Sequence, residues 1–216
     1  RSKQASLDQE RERLQWQMAN GIGMVSTLLL KDSSDRTAFK VFESGIQDTL
    51  PGFAGASNFT LMPDPASWQL SGKAAYVHLC SNETIGGVEC HWTPHTGDIP
   101  LVADMSSNIL SAPLDVSCYG LIYAGAQKNL GPSGLTLVIV RRDLLGHALP
   151  ITPSVFNYQA LDAQSSMVNT PPTFAIYIMG LVLAHVKQLG GVQAMAAHNA
   201  QKAQLLYDFL DHSQLF

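Results

Sequence analysis

The sequence predicts an α/β protein with a mostly parallel sheet and flanking helices. Three observations carry that expectation. Short apolar runs, residues 74–79, 100–103, 121–124 and 135–140, are bounded by Gly, Pro and Ser, as buried strands are. Long helical patterns follow them, one after Pro171-Pro172 and one after Gly190-Gly191. Two isolated charges, Asp104 and Lys128, fall at the ends of apolar runs, where ligands of open α/β sheets bind.

Taken in order, residues 1–53 carry no functional motif. A charged stretch over residues 8–13 runs into Leu14 to Met18 and reads as a short solvated helix that Gly21 and Gly23 break. Residues 24–30 read as a strand or a buried helical turn, and residues 37–46 have weak helical periodicity. Pro63-Asp64-Pro65 marks a turn. Beyond it come the strand at 74–79, the Gly86-Gly87 break, a loop over 91–97, the strand ending on Asp104, and the strands at 121–124 and 135–140. Residues 143–146 read as a short helical turn. Thr170 is expected to cap the next helix, with Pro171 at its first position. That helix runs through Ile176, Leu181 and Val186 to Gly190-Gly191, and another begins near Val192 with Met195, Leu205, Leu206 and Leu210 on its apolar stripe.

Of the 216 residues, 46% are hydrophobic and 14% charged, so a sizeable core or exposed apolar surface is expected. A net charge of −4 argues against a nucleic-acid partner. The best apolar stretch, residues 174–186, is too short to span a membrane. Three scattered cysteines give neither metal spacing nor a disulfide framework, which fits a cytoplasmic location. The seven histidines show no metal spacing either, and His78, alternating with apolar neighbours, reads as structural. The first residue is Arg1, which suggests a fragment of a longer protein.

Lys128 is the only charged side chain between Asp115 and Arg141. A lone lysine reads either as a solvent-facing turn residue or as an amine held in a cleft as a nucleophile. Asp104 reads either as a strand-end carboxylate bonded to the amides of Ser106 and Ser107 or as the partner of a cation. A lysine and an aspartate on neighbouring strand ends suit a pyridoxal phosphate site, where the amine joins the carbonyl and the carboxylate keeps the ring nitrogen protonated.

Four stretches in order narrow the choice: Ser81-Asn82-Glu83-Thr84, residues 102–107 (VADMSS), residues 122–134 (IYAGAQKNLGPSG) and residues 169–174 (NTPPTF). Together they resemble the phosphoserine aminotransferase family, class V enzymes of fold type I, over about residues 54–216. The resemblance implies part of the large cofactor domain over 54–216, with 1–53 unassigned. It implies pyridoxal 5′-phosphate as cofactor, Lys128 as the Schiff-base lysine and Asp104 on the ring nitrogen. It further implies Thr84 on the ring hydroxyl oxygen, Gln127 on the cofactor phosphate, and Asn169 and Thr170 reaching the cofactor phosphate of the other subunit of a homodimer. The implied reaction moves the amino group of glutamate to 3-phosphohydroxypyruvate, giving phosphoserine and 2-oxoglutarate in serine biosynthesis. A second implied substrate is 4-phosphohydroxythreonine, in vitamin B6 biosynthesis. No Gly-rich phosphate loop, ring-stacking aromatic or substrate-binding Arg and His set is found in residues 1–53, and the small C-terminal domain that the resemblance implies is expected to lie outside these residues. The alternative expectation is therefore a non-catalytic piece with residual cofactor binding or an interaction role.

Overall fold

A computed structural model describes residues 74–84 and 86–215, together with Met62, Trp68 and Leu70. The expected elements within residues 1–53 and the turn at Pro63 to Pro65 lie outside the described residues.

Four strands form one sheet in the order β1-β4-β5-β6: β1 (Val77–Cys80), β4 (Leu101–Asp104), β5 (Leu121–Gly125) and β6 (Thr136–Val140). β1, β4 and β5 are parallel and β6 is antiparallel to β5. The mostly parallel sheet expected from the sequence is therefore present. Between β1 and β4 lies a ribbon that the sequence did not signal, β2 (Asn82–Glu83) paired antiparallel with β3 (Val88–Glu89). The Gly86-Gly87 break is its turn, and Gly87 has φ of 73°. The helices are α1 (Tyr158–Ala163), α2 (Thr173–Gln188) and α3 (Gly191–His212). The expected turn at 143–146 is a 3-10 turn over Arg142–Leu144.

Alternation along the strands sends side chains to two faces. On one face Val77, Leu79, Leu101, Ala103, Ile122 and Ala124 join Met105, Ile109 and Leu130 in the larger core, with Met179 of α2 packed against it. On the other, Val102, Leu121 and Tyr123 pack with Tyr76, Val138, Val140 and Tyr158. Covering both faces is what a parallel arrangement demands. Gly120, just ahead of β5, lets the chain pass close to β4: a Cβ there would stand 2.8 Å from Pro100 Cβ and 3.0 Å from Leu144 Cδ1.

The start of α2 differs from expectation. Thr170 is not the cap. The cap position is Pro172, without a side-chain hydrogen bond, and the helix begins at Thr173. Consecutive prolines explain the shift. Each proline pushes the residue before it out of the helical region, so neither Thr170 nor Pro171 can enter the helix. α2 ends with His185 and Lys187 in its last turn, where positive charge suits the exposed carbonyls. Gly190 (φ 101°) and Gly191 (φ 81°) supply the left-handed turn into α3. Of the stripe expected on α3, Met195 and Leu210 are partly covered, while Leu205 and Leu206 are 76% and 57% exposed. Most of the covered positions lie toward the start of α3, where Asn199 Nδ2 donates to the Ser111 carbonyl.

Leu101 and Leu79 are each 1% exposed at the centre of the larger core. Leu101→Ala is expected to cost about 2–5 kcal/mol of unfolding free energy in urea titrations, from lost burial plus the cavity left behind. A cost below about 1 kcal/mol would show that this face is not the packed core described.

Candidate active site

The carboxyl ends of β1, β4 and β5 lie side by side, because the three strands run parallel in register Cys80, Asp104, Tyr123. Each end opens into a loop carrying a residue singled out in the sequence: Thr84 beyond β1, Asp104 at the tip of β4, and Gln127 and Lys128 beyond β5. The three loops are tied together by hydrogen bonds.

The central tie is the Ser106 hydroxyl. It donates to Asp104 Oδ1 at 2.6 Å and accepts from the Gly125 backbone N–H at 3.0 Å. The Ser106 N–H donates to the same Oδ1 at 2.9 Å. The carboxylate is thus anchored to its own loop and, through one hydroxyl, to the backbone leading to Lys128. Of the two amides expected for Asp104, only that of Ser106 is used. The Ser107 hydroxyl instead donates to the Asn82 carbonyl at 3.0 Å, joining the Thr84 loop to the Asp104 loop. The buried Ser81 hydroxyl is shared between the Asp104 carbonyl, 2.9 Å, and Asn108 Oδ1, 2.7 Å. Asn108 Nδ2 in turn donates to Glu89 Oε1 at 2.9 Å.

The Lys128 loop has its own anchors. Leu130 is 1% exposed in the larger core. Asn129 Nδ2 donates to the Ile109 carbonyl at 2.9 Å, and Gly131 lies against the backbone of Met179 in α2. Between these anchors Gln127 and Lys128 are exposed. Among the described residues Lys128 makes no ion pair, so its amine is presented to solvent rather than buried. The Gln127 amide folds over Gly125, where a Cβ would stand 2.5 Å from Gln127 Oε1. Thr84 is exposed in the turn of the ribbon. Asn169 and Thr170 are exposed ahead of α2, and among the described residues no hydrogen bond links them to Thr84, Asp104 or Lys128. The structure therefore brings Thr84, Asp104, Gln127 and Lys128 to the loops at one edge of the sheet, while Asn169 and Thr170 are exposed on the segment ahead of α2.

Beneath Asp104 lie two residues whose joint placement sequence reasoning missed. The Tyr123 hydroxyl is 2.9 Å from His78 Nε2. Burial, then the neighbouring Asp104 charge, raises the Tyr123 pKa far above the usual phenol value. Burial lowers that of His78, against a smaller opposing pull from Asp104. The Cys80 thiol is pushed up, by burial first and then by Asp104. Arg141 and Arg142 are exposed, as a strand-end position suggests, and Arg141 pairs with Asp143 at 2.6 Å.

A mostly parallel sheet with flanking helices, and with a lysine and an anchored aspartate beyond adjacent strand ends, defines an α/β domain with a candidate ligand edge. A class-V aminotransferase family model matches residues 53–216, and the chain belongs to that family. Within it, the chain is 59% identical over 159 residues to the phosphoserine aminotransferase of Herminiimonas arsenicoxydans, covering 74% of this chain and 44% of that one. It is 61% identical over 155 residues to that of Acidithiobacillus ferrooxidans, covering 72% and 43%. Among solved structures, the phosphoserine aminotransferase of Bacillus circulans subsp. alkalophilus superimposes with a TM-score of 0.71 at 46% identity, covering 73% of this chain and 44% of that one. The PLP-bound phosphoserine aminotransferase of Trichomonas vaginalis does so with a TM-score of 0.67 at 40% identity, covering 71% and 43%. The fold is therefore that of the phosphoserine aminotransferase structures, fold type I, in part. The chain spans less than half the length of these relatives.

Two outcomes are expected. Ser106→Ala removes one donor from Asp104 and the acceptor of the Gly125 N–H, and should cost about 1–3 kcal/mol in urea unfolding; an unchanged midpoint would mean that the tie carries no energy. His78 has a lowered folded pKa, so the unfolded chain binds its proton first as pH falls. Stability from this site is full above about pH 6.5 and is lost below it. Thermal melts from pH 8 to 5 should fall more steeply for the native chain than for His78→Gln, and parallel slopes would contradict this.

Proposed function

We propose that the protein is a pyridoxal-phosphate-dependent phosphoserine transaminase, moving the amino group of glutamate to 3-phosphohydroxypyruvate. The observation that carries this reading is the anchoring of Asp104 to the strand end that leads to Lys128 through Ser106. The donor set fits the cofactor. Lys128 offers an exposed amine for the carbonyl, Asp104 an oriented carboxylate for the ring nitrogen, Thr84 a hydroxyl, and Gln127 an amide for the phosphate. When bound, pyridoxal phosphate supplies an electron sink for the carbon that loses its proton.

The residues of this chain do the rest. Asp104, held by Ser106, would keep the ring nitrogen protonated. Lys128, on a loop pinned by Leu130 and Asn129, would act as the base that carries the proton to and from the substrate carbon. Residues 54–216 would form part of the large domain. Asn169 and Thr170, exposed and unconnected to the Asp104 edge, suit a role at the phosphate of a second subunit in a homodimer. Action on 4-phosphohydroxythreonine and a cytoplasmic location complete the reading. Cys80, Cys90 and Cys118 are free, which suits a reducing compartment, and among the described residues no single helix is long and apolar enough to cross a membrane.

A second reading, a non-catalytic piece with residual cofactor binding, is favoured by exposed apolar side chains on the last two helices, among them Phe174 at 71% and Leu205 at 76%.

With added pyridoxal phosphate the protein should develop a visible absorbance band that Lys128→Ala lacks, and should form 2-oxoglutarate from glutamate only when 3-phosphohydroxypyruvate is present. A lysine-dependent band without turnover supports the second reading. No band beyond the Lys128→Ala control overturns the first.

A further inference from the structure

Thr84 stands at the turn of the β2–β3 ribbon, which has only two residue pairs, Asn82 with Glu89 and Glu83 with Val88. A two-stranded ribbon is at best marginally stable by itself, so what fixes Thr84 must come from outside the ribbon. The Gly86 N–H closes the turn onto Glu83 Oε2 at 2.5 Å, but that bond lies within the ribbon. The bonds that join the ribbon to the Asp104 loop come from two successive residues of that loop. The Ser107 hydroxyl holds β2 through the Asn82 carbonyl at 3.0 Å. Asn108 holds β3, its Nδ2 donating to Glu89 Oε1 at 2.9 Å, while its Oδ1 accepts from the buried Ser81 hydroxyl at 2.7 Å.

Chemistry fixes the Asn108 amide in one orientation. A carboxylate only accepts, so the NH2 group faces Glu89, and the amide oxygen faces the Ser81 hydroxyl, which donates. The bond to Glu89 is charge-assisted and so stronger than one between neutral groups. Glu89 Oε2 is left on the outer side, 4.0 Å from Nδ1 of the exposed His91. The same loop reaches the Lys128 loop, through Ser106 to the Gly125 N–H and through the Ile109 carbonyl to Asn129 Nδ2. One short stretch, Ser106 to Ile109, therefore touches both other loops of the edge.

We propose that Asn108 and Glu89 are positioning residues for the cofactor: their bond clamps the β2–β3 ribbon against the Asp104 loop and so holds the Thr84 hydroxyl in reach of the ring hydroxyl oxygen. The inference rests on the pyridoxal phosphate reading above, which gives Thr84 its role. With the clamp released, β3 loses its side-chain hold on the Asp104 loop, and Thr84 donates less firmly.

The test uses the protein loaded with pyridoxal phosphate and follows its lysine-dependent visible band as pH is raised. A donor on the ring oxygen matters most when the nitrogen joined to Lys128 has lost its proton, because the oxygen's negative charge is then uncompensated. The donor therefore lowers the pH midpoint of the band, and its loss raises it. Thr84→Val should raise the midpoint by about half a pH unit to one unit, and the cofactor dissociation constant about fivefold. Asn108→Ala and Glu89→Ala should move both in the same direction to a smaller extent. Glu89→Gln, which keeps an acceptor oxygen for Asn108, should stay near the native values. Because the clamp acts through Thr84, the Asn108→Ala, Thr84→Val double variant should be no worse than Thr84→Val alone. Asn108→Ala strands no buried charge, since the Glu89 side chain is 34% exposed and the Ser81 hydroxyl keeps the Asp104 carbonyl at 2.9 Å. Clamp variants that melt earlier yet keep the native midpoint and cofactor affinity would overturn the proposal in favour of a purely structural bond. Additive effects in the double variant, or a Glu89→Gln as impaired as Glu89→Ala, would also overturn it. A native protein without a lysine-dependent visible band overturns the cofactor reading and this proposal with it; a native band with unmoved clamp variants overturns this proposal alone.

Discussion

The site depends on one hydroxyl shared between two loops. Ser106 donates to the Asp104 carboxylate and accepts from the Gly125 amide, and so converts two separate strand ends into one edge. Parallel strands make such a tie necessary. Their carboxyl ends run out together beyond the sheet's own ladder, so short side chains join what the sheet no longer does. The Ser107 bond to Asn82 and the shared Ser81 hydroxyl extend the tie to the Thr84 loop. The candidate positions can then be exposed while their supports are fixed: Lys128 faces solvent between a buried Leu130 and the end of β5.

The two faces of the sheet serve different purposes. The face built on Leu79, Leu101 and Ile122 is apolar and supplies the packing that holds the strands and α2 together. The face built on Val102, Leu121 and Tyr123 is more polar, with Tyr76 and Tyr158 at its margin, and it brings His78 and Tyr123 under Asp104. The exposed apolar residues of α2 and α3 belong to neither face, and the Gly190-Gly191 turn carries α3 away from the axis of α2 at 81°.

Much of this was legible in the sequence, for local reasons. Four strands and both long helices appeared because apolar runs between Gly, Pro and Ser admit few other structures. Asp104 and Lys128 were visible as charges at strand ends. Three kinds of feature were not legible. The β2–β3 ribbon has two-residue strands, too short for any periodicity. The start of α2 was displaced because Thr170 has the composition of a cap, while Pro172 keeps Pro171 out of the helix that Thr170 would cap. The His78–Tyr123 pair spans two strands, and its meaning comes from the strand order, which places both beside β4. His78 read alone is a structural histidine in an apolar run, and only the strand order shows that it meets Tyr123 across β4.

The central claim is that Lys128 is the amine that holds the cofactor. Borohydride reduction of the protein after loading with pyridoxal phosphate, followed by peptide mapping, tests it directly. The phosphopyridoxyl group should be found on the peptide containing Lys128, with Lys187 and Lys202 unlabelled. Label confined to another lysine, or none at all, would contradict the account.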